Sequence, residues 1–228
     1  MTAAATLPTA EETDPYCLSP LDAAALLYDA PWRRFAVLGD SLSAGIGDPS
    51  PGYASLGWAD RVADVLRRVH PGLAYLNTAV TRASTAQALE RQADRIRAFD
   101  PDLLHVPSGA NDIVRREPDF AEIESTMRRM YRFAASTGAL IATFTLSRRY
   151  DVPVFPDWHE RVLRINDITR ALTAEFDAVL VDSEDHPISD RANLLSEDGI
   201  HFATAGQAVL AAEVVKALAH RLDADGRR

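Results

Sequence analysis

The chain has 228 residues, 47% apolar and 25% charged, the make-up of an ordinary globular protein, which excludes a disordered, collagen-like or disulfide-stapled chain. Its 33 acidic side chains outnumber 24 basic ones for a net charge of −9, so it repels phosphate backbones and no nucleic-acid partner is expected. Cys17 is its single cysteine, so no internal disulfide is available, and no metal or other cofactor is expected.

The first fourteen residues, MTAAATLPTAEETD, lack the basic start and apolar core of a secretory signal and are expected to be mobile. The stretch Leu18–Tyr28 predicts a short helix, with Ser19 as N-cap and Pro20 at the first helical position. Residues 1–31 therefore read as an extension, and residues 32–228 as one domain. Five short apolar runs follow, each too short for a typical helix: Phe35–Leu38, Ala74–Thr78, Leu103–Val106, Ala139–Phe144 and Ala178–Val181. They predict buried strands.

Helical spacing fills the gaps between them. Ala59, Val62, Ala63, Leu66 and Val69 share one face; Leu89, Ala93 and Ile96 repeat the pattern, as do Phe120, Ile123, Met127 and Met130, then Ile165, Ile168 and Leu172. A last helix carries Ala211, Val215, Leu218 and Leu222. Glu213 and Lys216 interrupt its apolar run, so no membrane span is expected and the location is read as cytoplasmic. Strands alternating with helices predict an α/β fold: a three-layer α/β/α sandwich around a five-stranded parallel sheet.

In such sheets ligands bind beyond the carboxyl ends of the strands. The residues at those ends are Gly39-Asp40-Ser41-Leu42, then Asn77 with Thr81 and Arg82, then Gly109-Ala110-Asn111-Asp112. Asp198-Gly199-Ile200-His201 precedes the last helix. A serine hydroxyl needs an adjacent base to act as a nucleophile. His201 is the candidate base, and Asp198, three residues earlier, the candidate group that orients its imidazole. The set suits nucleophilic acyl transfer, with the amide of Asn111 and backbone N–H groups near Ser41 as oxyanion donors. Taken singly, Ser41 reads as a turn serine and Asn111 as a helix cap. The other histidines form no cluster at metal-ligand spacing, and His105 reads as a core residue.

These landmarks resemble the SGNH/GDSL hydrolase family: the Gly39-Asp40-Ser41-Leu42 block, Gly109-Ala110-Asn111-Asp112 as G-x-N-D, and Asp198-x-x-His201, in the family's order. The resemblance implies a flavodoxin-like sheet and a serine esterase with no metal. It further implies Ser41 as nucleophile, His201 as base, Asp198 as its orienter, and an oxyanion hole from Ser41, Arg82 and Asn111. One position departs from the family pattern, since Arg82 stands where the second block has a glycine whose N–H faces the oxyanion. Two arrangements are compatible with that change. Either the arginine keeps the N–H in place and turns its side chain away, or its guanidinium enters the pocket and binds a carboxylate or phosphate.

The expected substrate is a small-molecule acyl ester or thioester. An acyltransferase or a non-hydrolytic tailoring enzyme of small-molecule biosynthesis is the alternative, and a binding protein with a degenerate site a more distant one. Gly109, Arg148, Arg149 and Tyr150 are the candidate substrate-binding residues. The last three belong to a long loop from Leu146 to Trp158 in which Val154, Phe155 and Trp158 offer an apolar wall. The loop from Ser41 to Trp58 is a second candidate wall.

Overall fold

The computed structural model describes residues 10–192 and 194–226. Its five strands, β1 (Arg34–Val37), β2 (Ala74–Asn77), β3 (Leu103–His105), β4 (Leu140–Phe144) and β5 (Val179–Val181), match the apolar runs of the sequence to within a residue or two at each end. All neighbours pair in parallel, in the order β2-β1-β3-β4-β5, with Phe35 beside both Tyr75 and Leu103. A parallel sheet is covered on both faces, which is why these strands are continuous apolar runs without alternation. From β1 the chain moves outward to β2 and then returns to β3 on the opposite side of β1. That reversal is the topological switch point, where a crevice opens at the strand ends.

Helices α2 (Pro20–Leu26), α4 (Trp58–Val69) and α8 (Thr204–Ala224) pack together as one layer; α5 (Thr85–Phe99), α6 (Phe120–Ser136) and α7 (Trp158–Glu175) form the other. Three of these starts, those of α2, α5 and α6, carry a side-chain cap. Ser84 and Gln87 close a reciprocal capping box on α5, and the Asp119 carboxylate accepts from the N–H groups of Ala121 and Glu122 on α6. The predicted stripe Ala59, Val62, Ala63 and Leu66 is buried on α4, and α8 buries side chains around nearly its whole circumference.

The N-terminal extension carries the expected short helix and is tied to the domain at several points. Ser19 does cap α2, its hydroxyl accepting from the Asp22 N–H at 3.1 Å, and Ala23, Leu27 and Ala30 join the core. Residues 10–14 are anchored as well. Within α1 (Ala10–Thr13), Glu11 pairs with Arg61, while buried Asp14 pairs with Arg191 at 2.5 Å and accepts from the Tyr53 hydroxyl at 2.9 Å. Burial acts to raise the Asp14 carboxyl, but Arg191, the Tyr16 N–H and the Tyr53 hydroxyl together hold it at about 2. An acidic, alanine-rich composition does not reveal which arginines such a segment will meet. The rest of the expected mobile stretch, residues 1–9, lies outside the described residues.

No described helix is long and apolar enough to cross a membrane.

Candidate active site

Between β1 and Ser41 the chain turns sharply. Gly39 has φ 144°, and a Cβ there would lie 2.2 Å from the Ser43 Oγ, so this position accepts glycine alone without rearrangement. Asp40 then caps the one-turn helix α3 (Ser41–Ala44), its Oδ1 accepting from the N–H groups of Leu42 (3.0 Å) and Ser43 (3.3 Å). Asp40 is buried, 3% exposed. Burial pushes its carboxyl up to about 6, against the lowering effect of those two N–H bonds. Ser41 is the first residue of α3, and its own N–H has no acceptor among the described residues.

The second half of the site comes from the segment before α8. His201 Nε2 lies 2.7 Å from Ser41 Oγ, and His201 Nδ1 lies 2.5 Å from Asp198 Oδ2. An ionised carboxylate only accepts, so Nδ1 carries the proton and Nε2 is left to accept from the serine hydroxyl. The other oxygen of Asp198 accepts from the backbone N–H groups of Ile200 (2.9 Å) and His201 (3.0 Å). Partial burial acts to raise the Asp198 carboxyl, but the His201 ring and these N–H bonds together hold it below the usual carboxylate range.

The remaining rim is built by the turns after β2 and β3. Val80–Ala83 is a tight turn closed by the Ala83 N–H to the Val80 carbonyl at 3.1 Å. Its third residue, Arg82, has φ 66°, the left-handed conformation that such a turn assigns to glycine or asparagine. Holding it costs an L-residue about 1–2 kcal/mol. The N–H groups of Thr81 and Arg82 have no acceptor among the described residues. Asn111, in the one-turn 3-10 helix Ala110–Asp112, directs its Nδ2 to the Ala83 carbonyl (3.1 Å) and to Asp40 Oδ2 (3.3 Å). Asp112 fixes the start of α5, accepting from the Thr85 N–H at 2.9 Å and hydroxyl at 2.7 Å.

These parts surround a cleft of about 530 Å³, lined by Ser41, His201 and Asp198, by Asp40, Arg82 and Asn111, and by an apolar wall that includes Leu146, Val152 and Trp158. A family model for GDSL-like lipases and acylhydrolases matches residues 37–209, well over half the chain. The chain belongs to that family.

Solved structures of similar fold are distant in sequence. An alpha/beta hydrolase enzyme from the metagenome of Lake Arreo, Spain, is 20% identical with a TM-score of 0.67, over 84% of this chain and 97% of the other. An acetylxylan esterase from Geobacillus stearothermophilus is 18% identical at 0.66, over 82% and 94%. A lipase/acylhydrolase from Enterococcus faecalis is 21% identical at 0.65, over 83% and 96%. A comparison with curated protein sequences finds no match. Family membership makes this an ester hydrolase of the SGNH type, on the α/β sheet described above.

Within this GDSL-like hydrolase the residues expected to bind substrate divide. Tyr150 lines the cleft, 3% exposed, and its hydroxyl has no hydrogen-bond partner among the described residues. Arg148 does not reach the cleft: it is drawn to Asp185 at 2.9 Å and to Asp190 at 3.8 Å. Arg149 is exposed outside the cleft lining, and Gly109 is buried outside it, where a Cβ would meet Ile165 and Met127. Of the predicted apolar wall, Trp158 lines the cleft, Phe155 stacks on Trp158, and Val154 is 75% exposed. Trp158 is fixed by its indole N–H to the Tyr150 carbonyl at 2.9 Å.

The Ser41–Trp58 loop beyond α3 is not a cleft wall but a brace for the base. Asp48 Oδ2 accepts from the Glu197 N–H (2.9 Å), the Asp48 N–H donates to Ser196 Oγ (2.8 Å), and the Thr204 N–H donates to the Asp48 carbonyl (2.9 Å). Gly47 passes so close that a Cβ there would lie 1.8 Å from the Phe202 carbonyl oxygen.

Gln92, which belongs to none of the sequence motifs, is also part of the site's support. This buried amide pairs reciprocally with the N–H and C=O of Gly39, both at 2.9 Å, and holds the turn into Ser41. A signal existed, since Gln92 is a polar residue on the apolar face of α5, adjoining Leu89, Ala93 and Ile96. His105 is a core residue as expected, with its Nε2 3.2 Å from Ser43 Oγ and its ring stacked on Phe144. Burial lowers it to about 3.

Proposed function

We propose that this hydrolase cleaves a small-molecule acyl ester through an acyl-enzyme on Ser41. His201 Nε2 takes the hydroxyl proton as Ser41 Oγ attacks the carbonyl carbon, and the carbonyl π electrons move onto oxygen. Collapse of the tetrahedral species breaks the ester C–O bond, and the imidazolium protonates the departing alkoxide. Water then attacks the acyl carbon while Nε2 takes its proton; the second collapse releases the acid and returns the proton to Ser41 Oγ. Asp198 stabilises the imidazolium in both halves. The N–H groups of Ser41 and Arg82 and one Asn111 amide hydrogen serve the oxyanion, the longer Asn111 contact to Asp40 being the one given up. Each such donor contributes about 10²–10³ in rate. A thioester follows the same steps with a thiolate leaving.

The contact that carries this reading is the 2.7 Å approach of His201 Nε2 to Ser41 Oγ, with Nδ1 held by Asp198. Ser41→Ala is expected to lower turnover of a short chromogenic ester by about 10⁴–10⁶-fold and to abolish labelling by a fluorophosphonate. Labelling undiminished in that variant would overturn the mechanism. Arg82, at a turn position suited to glycine, motivates a second reading in which the acyl group passes to an acceptor other than water. Partition of the acyl-enzyme between water and added alcohols or amines separates the two.

A further inference from the structure

Three described non-glycine residues hold a positive φ: Arg82, Asp100 and Asp177. The two aspartates are where that conformation is cheap. Asp100 is the C-cap of α5, Asp177 follows the C-cap of α7, and a short polar side chain tolerates the left-handed region. Arg82 has neither advantage. It is a long side chain at the third position of a tight turn, on the rim of the catalytic cleft. Backbone strain concentrated at a site, and borne by a residue ill suited to it, points to a role for the side chain.

The charges lining the cleft point the same way. Its ionisable groups include Asp40, Arg82, Asp198 and His201. Asp198 is committed to His201 and to two backbone N–H groups, and Asp40 is enclosed beneath α3 as its cap. Arg82 is exposed, and its guanidinium has no ion-pair or hydrogen-bond partner among the described residues. Of the other arginines expected to meet a substrate, Arg148 is held by Asp185 and Asp190, and Arg149 lies outside the cleft lining. Arg82 thus lines, without an ion-pair or hydrogen-bond partner among the described residues, a cleft that otherwise offers an apolar wall and a serine.

We propose that Arg82 is a specificity-determining residue that binds an anionic oxyacid group, a carboxylate or a phosphate, carried by the ester substrate. The proposal rests on the ester-hydrolase reading above and names the substrate class of that site. A guanidinium presents a planar fork of N–H donors that matches two oxygens of either group. In a chain of net charge −9 the long-range field repels anions, so their recognition falls to such a short-range contact.

The test uses nitrophenyl esters of one acyl length ending in a carboxylate, a phosphate or a neutral methyl ester. For wild type, kcat/KM for at least one anionic ester is expected to exceed that for the neutral ester by about 10–100-fold, and the preferred anion identifies the source. In Arg82→Gln that ratio should fall to near one through KM, whereas Arg82→Lys should keep part of it. Taking the ratio within each variant cancels any change at the position-82 amide. Binding of the same esters to Ser41→Ala, which cannot turn them over, reads the contact without catalysis, and adding Arg82→Gln to it should erase the preference. Equal ratios, or equal binding, with and without the arginine would overturn the assignment. Fluorophosphonate labelling separates the two failures: a labelled wild type with no charge preference sinks the arginine's role and leaves the serine mechanism, while an unlabelled one sinks the mechanism.

Discussion

Ser41 and His201 meet at 2.7 Å, yet the structure holds them by different means. The serine follows β1 directly. A glycine that admits no side chain, a buried aspartate cap and the reciprocal Gln92 amide fix its backbone against the sheet. The histidine sits in a connecting segment ahead of α8, where Asp198 is 47% exposed at its side chain, and a second loop steadies it through a few hydrogen bonds from Asp48. The nucleophile is thus positioned by buried hydrogen bonds and close packing, and the base by more exposed polar contacts between loops. Damage to the first should register as lost stability, and damage to the second as lost rate.

The largest effect is expected on the serine side. Gly39→Ala places a methyl group on the Ser43 hydroxyl, itself in contact with buried His105, in a conformation that L-residues avoid. A loss of about 2–4 kcal/mol in unfolding free energy is expected, measurable by chemical denaturation. An unchanged midpoint would show that the turn relaxes freely and that the contrast is false.

Asp40 supplies a pH signature for the same region. Its carboxyl is raised by burial from 3.8 to about 6, so the folded state binds this proton more tightly than the unfolded state. The stabilisation is therefore complete below about pH 4 and is lost as pH rises through 6. Two pH units correspond to a difference of about 3 kcal/mol at most. Asp40→Asn retains a capping oxygen and should remove this part of the pH slope. Parallel stability curves for wild type and variant between pH 4 and 7 would refute it.

The smallest effect belongs to the base side. Asp48→Ala deprives the Glu197 N–H of its acceptor but leaves two other ties to the segment. It should cost about 1 kcal/mol of stability and lower kcat about tenfold with KM little changed. Asp48→Asn, which keeps an acceptor, should restore most of the rate. A variant that lost stability without losing kcat would show that this loop holds the fold instead of the histidine.

Much of this was legible in the sequence because its causes are local. A parallel strand covered on both faces must be apolar throughout, so the runs from Phe35, Ala74, Leu103, Ala139 and Ala178 announced the sheet to within a residue or two. Asp198 and His201, three residues apart, do meet, but across a bend in which Gly199 has φ 70° and not on the helical turn that their spacing suggests. Ser19 and Pro20 announced a helix start. What the sequence could not determine lies in contacts between distant segments. Arg148 reads as a free cation until Asp185, across the ends of β4 and β5, takes it. The loop after α3 reads as a cleft wall until Asp48 reaches Glu197, 149 residues on. The run through residue 14 reads as loose until Asp14 meets Arg191. Residue type decides whether a group is able to bond; which long-range partner it finds depends on how the layers close, and that is decided only when the sheet and its two helical faces come together.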